Sequence, residues 1–459
     1  MDNSEIFSKN ITKLILKMSF PMIIAQVINL LYNIVDRAYI GNYDVDTGVI
    51  AIGGLGACFP IIIIISAFSS LFGMGGAPIF AINLGKKDFK KASLFLNNSF
   101  IMLLIVSFIL IPILLIFKEP ILYAFGANNQ NIVYANEYLN IYILGTLFVM
   151  FSLGLTPYIS AQGKTMYSMT VVLLGAILNI ILDPIFIYLF DLGVKGAAIA
   201  TVISQAASAI FVIWFFVSKK TIIKLAPLKS KLNIKVIKPA ILLGLSPFIM
   251  QSTEALVQIS FNSQIKKYIT DINEQTIYLS AMTIVISIMS ILNMPLQGLS
   301  QGTQPIISQN YGAGLKDRAK EASKKLILFS LIFSFLFVLI LNIFPEFFVK
   351  IFNQNNALLE ASTKLIRIMF IGMAFMGIQI GCQNSFLALG KSKISLILAL
   401  LRKIILLIPL TFILPLFIQS KGIFIAESVA DVLAILVTLI CYLCLFKKYL
   451  KLPINTNKK

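Results

Sequence analysis

Histidine is absent from the 459 residues, which weakens any metal site or proton relay built on imidazole. Charge is scarce as well. Only 12% of residues are charged and 58% are apolar, with a mean hydropathy of +0.91. Soluble chains carry about a quarter charged residues, so this composition is that of a polytopic membrane protein. Cysteine is limited to Cys58, Cys382, Cys441 and Cys444, and the Cys441/Cys444 pair has no second pair to complete a metal site, so packing explains it. No His cluster, paired Cys motif or nucleophile elbow is present, and an enzyme is not expected. The segment Met1 to Lys17 lacks a cleavage pattern and leads straight into a full-length apolar span.

Basic residues are the exception to this scarcity, giving a net charge of +19. They sit in short loops between apolar spans, a pattern that orients a chain in a membrane rather than binding nucleic acid. Twelve spans are expected, near 14–40, 51–84, 93–117, 132–160, 166–190, 196–218, 238–265, 275–310, 325–349, 361–389, 394–418 and 422–446. The second and eighth exceed what a bilayer needs, which calls for tilt, kinks or interfacial ends. The N-terminus, the even-numbered connections and the C-terminal tail hold 27 basic residues, against six in the opposite connections. Both termini are therefore expected to be cytoplasmic.

The chain also repeats itself. Pro78 and Asn83-Leu-Gly85 match Pro305 and Asn310-Tyr-Gly312, each 227 residues later, and both lead into a basic loop. The same offset pairs Gly145 with Gly372, Gly154 with Gly381 and Gly163-Lys164 with Gly390-Lys391. Two six-helix halves of like orientation follow, residues 1–218 and 238–459, joined by a Lys-rich linker at 219–237. Parallel repeats of this kind are a transporter architecture, with cargo held between the halves.

One stretch stands out within the repeat. In Leu178-Asn-Ile-Ile-Leu-Asp-Pro184, Asn179 and Asp183 are four apart and share a helical face. Pro184 cannot bond the carbonyl of Ile180. A carboxylate inside a membrane helix costs roughly 2.5–3.5 kcal/mol on insertion scales, so an ion or substrate role is expected of it. Counted from the loop ends, Asp36 lies roughly 7–8 Å deep, Asp183 roughly 12 Å and Thr201 roughly 7–8 Å, all in the outer half. Carboxylate, amide and hydroxyl oxygens are the donors that hard cations take. The competing role for Asp36 is an ion pair with Arg37 or an interfacial cap, for Asn179 a bond between helices, and for Thr201 a bond to its own backbone.

With its twelve spans in two like halves, its Pro-x4-Asn-x-Gly loop ends, Gly163-Lys164 and Leu178-Asn-Ile-Ile-Leu-Asp-Pro184, the chain resembles the multidrug and toxic compound extrusion (MATE) family, in its MepA-like bacterial branch. The resemblance covers nearly the whole chain. It implies an all-α membrane protein that exports diverse, often cationic and amphipathic drugs in exchange for H⁺ or Na⁺, in the bacterial inner membrane. It also implies a cation site in the N-half at Asp36, Asn179, Asp183 and Thr201, which would hold Na⁺ if coupling is to sodium. No cofactor beyond the transported ion is expected, the partners are organic cations and membrane lipid, and a monomer is expected.

The C-half has its own acids. Glu254 lies near mid-membrane on the seventh span, while Glu427 and Asp431 share a face of the twelfth. In the repeat register these two stand where the N-half has Thr201 and Gln205, so the halves are chemically unlike. Another MATE branch pairs a seventh-span acid with one on the tenth span; here the tenth offers no buried acid, and a C-half site of that type is in doubt. Arg402 on the eleventh span could pair with a C-half acid or serve as a substrate or proton group. Phe148, Met150, Phe151, Tyr158, Met282, Met289 and Met294 could line an adaptable pocket for flat cations or simply pack. Acids outnumber arginines on inner faces, which favours cationic cargo over the alternative, a flippase for lipid-linked sugars.

Overall fold

The computed structural model describes residues 5–41, 48–125, 127–227, 230–352 and 355–451. Lys229, Lys458 and Lys459 of the basic count, and the Arg37 side chain, lie outside the described residues. Among those described, every regular element is helical. Among the described residues ten helices are long and apolar enough to cross a membrane as single units, and two bent pairs, each taken as one span, bring the number to the expected twelve.

The first three spans are Ile11–Gly41, Gly48–Gly85 and Phe89–Ala124. The fourth is Ile132–Leu144 with Thr146–Ala161, bent by 59°. The fifth is Thr165–Pro184 continued by a π-helical turn at Ile185–Leu189, and the sixth is Gly193–Val217. In the second half come Ile234–Tyr268, Ile272–Gly312 and Lys316–Ile343. The tenth is Asn356–Met373 with Met376–Ala388, bent by 43°. The eleventh starts as Ser392–Leu400, passes through a π-helical segment Leu401–Leu407 and ends in short pieces to Ile418; the twelfth is Ser420–Lys451.

The second and eighth spans, of 38 and 41 residues, run as single helices through two internal prolines each. At 1.5 Å per residue both reach well past a hydrocarbon layer of about 30 Å. The two bends recur at the repeat offset. A Cβ on Gly145 would stand 2.5 Å from Val202, and one on Gly372 would stand 2.7 Å from the Asp431 Cβ. Each glycine thus presses a bent span onto the last span of its half.

Apolar burial divides into three cores. One lies within residues 40–240, a second within 261–430, and the third gathers the start of the first span (Ile11, Leu14, Ile15, Met18) with the eighth, ninth, tenth and twelfth. Conversely, Val236 and Ala240 of the seventh span pack into the N-half core. The opening helix of each half is therefore seated on the other half. Ser19 donates to the Leu299 carbonyl at 3.1 Å and meets the Thr303 hydroxyl at 3.3 Å. Glycines make these seams tight. A Cβ on Gly244 would lie 1.8 Å from the Leu71 carbonyl, and one on Gly302 2.4 Å from the Ser19 Cα. Where the second and eighth spans end, Gly85 abuts the Gln309 carbonyl and Gly312 the Ile82 carbonyl, each at 2.0 Å from an added Cβ.

All these seams sit at one end of the bundle, where the Lys-rich connections also meet. The Arg318 guanidinium donates to the Ile6 and Lys9 carbonyls, Lys316 to the Lys451 carbonyl, and Gln309 to the Ala161 carbonyl. Glu5 accepts from Lys9 and Lys17, which hold its carboxyl down at about 2. With the folded value depressed, its contribution is complete above the ordinary 4.5 and is lost only as pH falls toward 2, so this clasp keeps its charge at neutral pH.

The linker is stitched to the N-half by side-chain amides. The buried Gln162 Oε1 accepts from the Ile222 amide at 2.6 Å, the Ile223 amide at 3.4 Å and the Thr221 hydroxyl at 3.0 Å. Asn97 and Asn98 accept the amides of Ala226 and Asn233, both at 2.8 Å. Losing a shared buried acceptor costs about 1–3 kcal/mol. Gln162→Leu is thus expected to speed tryptic cleavage at Lys219, Lys220 and Lys224 in solubilised protein. Cleavage at the wild-type rate would show that the clamp does not hold the linker.

Candidate cation and substrate sites

In the N-half the fifth span brings an amide and an acid together. The Asn179 amide donates to Asp183 Oδ1 at 2.9 Å and reaches the Thr201 hydroxyl at 3.5 Å. Both residues are closed off, Asp183 at 0% and Asn179 at 2% exposure. Asp183 Oδ2 and Asn179 Oδ1 are buried and accept no hydrogen bond from the described residues. Two buried acceptor oxygens without a donor, on side chains bonded to each other, make a place for a proton or a small cation. The first span packs on the fifth and carries Asp36 near enough for its charge to repel that of Asp183.

Tyr138 completes the group. It is 4% exposed on the fourth span and lies near Thr201 and the Asp36 charge. The structure thus brings Asp36, Asn179, Asp183 and Thr201 into one neighbourhood, with Tyr138 as a member that sequence spacing did not mark. A Tyr in mid-span carries no signal that separates it from packing; the Tyr138–Tyr142 stack, with centroids 5.8 Å apart, is what such spacing ordinarily means. Among the described residues no three His, Cys, Asp or Glu gather as a metal cluster. Two carboxylates with neutral oxygens form a donor set for a hard cation.

Pro184 ends the α-helical part just beyond the acid, and the chain continues as a π turn in which the Phe190 amide donates to Ile185, five residues back. Within that turn the Tyr188 hydroxyl donates to the Tyr39 carbonyl at 2.7 Å, one turn along the first span from Asp36. The bend at the proline and the helix bearing the second acid are mechanically joined.

The C-half holds a second set of charges on the wall of a cavity of about 740 Å³. The cavity opens away from the Lys-rich end and lies between the halves, with Phe59 and Pro60 of the second span facing Met282 and Met289 of the eighth. Arg402 bridges two buried acids, donating to Asp431 at 2.6 Å and to Glu427 at 3.1 Å. Its π-helical neighbour Lys403 pairs instead with Glu254 and donates to the Met250 carbonyl at 2.9 Å. Lys266 stands near the mouth.

Met282 and Met289 of the expected pocket line this cavity, whereas Phe148 and Met150 do not. Met150 is fully buried in the N-half core, as are Phe151 and Tyr158, and Phe148 packs against them. The bend after Leu144 turns that stretch toward the second, third and sixth spans. Counting arginines against acids also missed Lys403. Neighbours in sequence do not share a helical face, and nothing in the apolar run announces which helix each of two consecutive bases will meet.

A family model described as MatE matches residues 21–185 and 254–413, most of both halves. The chain belongs to the MatE family. The matched stretches carry Asp36, Asn179, Asp183, Glu254, Arg402 and Lys403; Thr201, Glu427 and Asp431 fall outside them. Relatives include the multidrug export protein MepA of Staphylococcus aureus, 26% identical over 430 residues and 93% of each chain. The MepA of Staphylococcus haemolyticus is likewise 26% identical, over 93% of each. Among solved structures, the MATE multidrug transporter DinF-BH is 32% identical, with a TM-score of 0.87 over 96% of this chain and 97% of that one. An outward-facing MATE transporter of the MOP superfamily shares the fold, with a TM-score of 0.89 at 20% identity over 98% and 99%. As a MatE protein the chain is an integral membrane transporter, and its matched halves are the two halves of the sequence repeat.

Proposed function

We propose that this MatE protein exports organic cations, of the multidrug kind, against an inward flow of H⁺ or Na⁺. The observation that carries the reading is the pair of donor-less oxygens on Asn179 and Asp183, closed off beside Pro184 and next to the charge of Asp36. An arriving proton or Na⁺ relieves the repulsion between the two acids, and the π turn beyond Pro184 gives the fifth span a place to change its bend. Through Tyr188 and Tyr39 that change pulls on the first span, whose far end is seated on the C-half. Ion occupancy would thus bias the seams between the halves and release cargo from the cavity. Drug and ion then oppose each other's binding by the same factor.

The Lys-rich end is taken as cytoplasmic, which places both termini on the cytoplasmic side of the bacterial inner membrane, and the cavity then faces outward. A monomer suffices for this cycle, since both ion site and cavity lie within one chain. The test is efflux of a fluorescent cationic dye from vesicles containing the purified protein, with pH and Na⁺ gradients imposed separately. At least one gradient is expected to drive dye movement. Dye that moves equally without either would refute coupling.

A further inference from the structure

We infer that Lys403 is a resident cation on Glu254 that organic-cation cargo has to displace, so that this lysine sets how much positive charge the cavity accepts. The inference rests on the reading of the cavity as the cargo site. Its basis is an asymmetry between two adjacent bases. Arg402 is held by a planar fork between Glu427 and Asp431, whose side chains are 6% and 1% exposed. Both acids are engaged by the guanidinium, so Glu427 stands at the cavity wall already paired, and Asp431 is not part of that wall.

Lys403 is arranged the other way round. Its side chain is 6% exposed and sits behind its partner, while the Glu254 side chain is 62% exposed and stands in the cavity. The accessible carboxylate is therefore on the cargo's side and the fixed ammonium on the protein's side. An ammonium on a flexible four-carbon stem, with the Met250 carbonyl as a second acceptor, can stay bonded to the seventh span while Glu254 turns to another cation. A half-exposed pair is weak, so a cationic nitrogen entering beside Met282 and Met289 can compete for it. Removing the lysine changes the wall by one negative charge whatever the state of the Arg402 cluster.

The test compares equilibrium binding of a rhodamine monocation and a bis-quaternary dication to the purified full-length protein. The variants are Lys403→Met, Lys403→Arg and the double variant Glu254→Gln/Lys403→Met. Lys403→Met leaves behind an exposed acid rather than a buried one, so the fold should survive, and thermal unfolding checks that. Lys403→Met is expected to shift the dication-to-monocation affinity ratio upward by roughly fivefold, the weight of one half-exposed ion pair. Lys403→Arg should keep the wild-type ratio, and the double variant should bind the monocation more weakly than wild type. If Lys403→Met and the double variant instead both bind like wild type, the pair is structural only and the inference is overturned. Wild-type protein that binds neither cation would overturn the cargo reading as well, which separates the two failures.

Discussion

Asp183→Asn is expected to uncouple export from the ion gradient while leaving dye binding nearly intact. The substitution keeps the size of the side chain and its bond to Asn179 but removes the charge that an incoming cation neutralises. Gradient-driven efflux in vesicles should fall by about 5–150-fold, the range of ordinary coupling free energies between sites. Dye affinity in detergent should change little, because the cavity wall is built by the second, third, seventh, eighth, tenth, eleventh and twelfth spans and the Asp183 group by the first, fourth, fifth and sixth. Export at the wild-type rate by Asp183→Asn would remove this site from the mechanism. Loss of dye binding together with efflux would mean the two sites are not separate.

Gly244→Ala is expected to have a large structural effect, since its added carbon would meet the closest backbone atom found at any described glycine. The new carbon would meet the Leu71 carbonyl at 1.8 Å, and a carbonyl of a helix backbone has no rotamer by which to yield. The second and seventh spans must part. Overpacking usually costs about 1–3 kcal/mol, and here the cost falls on the seam that closes the Lys-rich end. Two readouts check it. Melting temperature should drop, and Cys382 should become reactive to maleimide as judged by peptide mass. That thiol is fully buried, and the next residue, Gln383, donates to Ser246 of the seventh span at 3.2 Å. An unreactive Cys382 with an unchanged melting temperature would show that the seam relaxes without opening.

The fold was legible because the bilayer imposes a simple code. Long apolar runs, loop lysines and a 227-residue offset are all linear features, and the structure returns them as twelve spans with one Lys-rich end. The N-half group was legible in part, since Asn179, Asp183 and Pro184 lie within one turn and a half of one helix. Tyr138 was not, because it joins from another span through a contact that no spacing records. Lys403 was hidden by its neighbour. Consecutive residues on a helix point in different directions, so Arg402 turns to the twelfth span and Lys403 to the seventh, and which neighbouring helix each meets leaves no mark in a run of leucines and isoleucines. Phe148 and Met150 illustrate the converse. Their types suit a drug pocket, but the bend of the fourth span points them into a core.

The exchange of opening helices between the halves has a bearing on how the chain is made. Ser19 and the Thr303 it touches are 284 residues apart. At a synthesis rate of about 5–20 residues per second, the first span waits roughly 15–60 seconds in the bilayer before its seat on the eighth exists. During that interval its small and polar interface, Ser19 included along with Gln26, whose amide donates to Gln301 of the eighth span at 3.3 Å, faces lipid or whatever the insertion machinery provides. Neither half can complete its packing alone. Assembly of this transporter is therefore a late event, finished only when the C-half has emerged, and its first helix is among the last to reach its place.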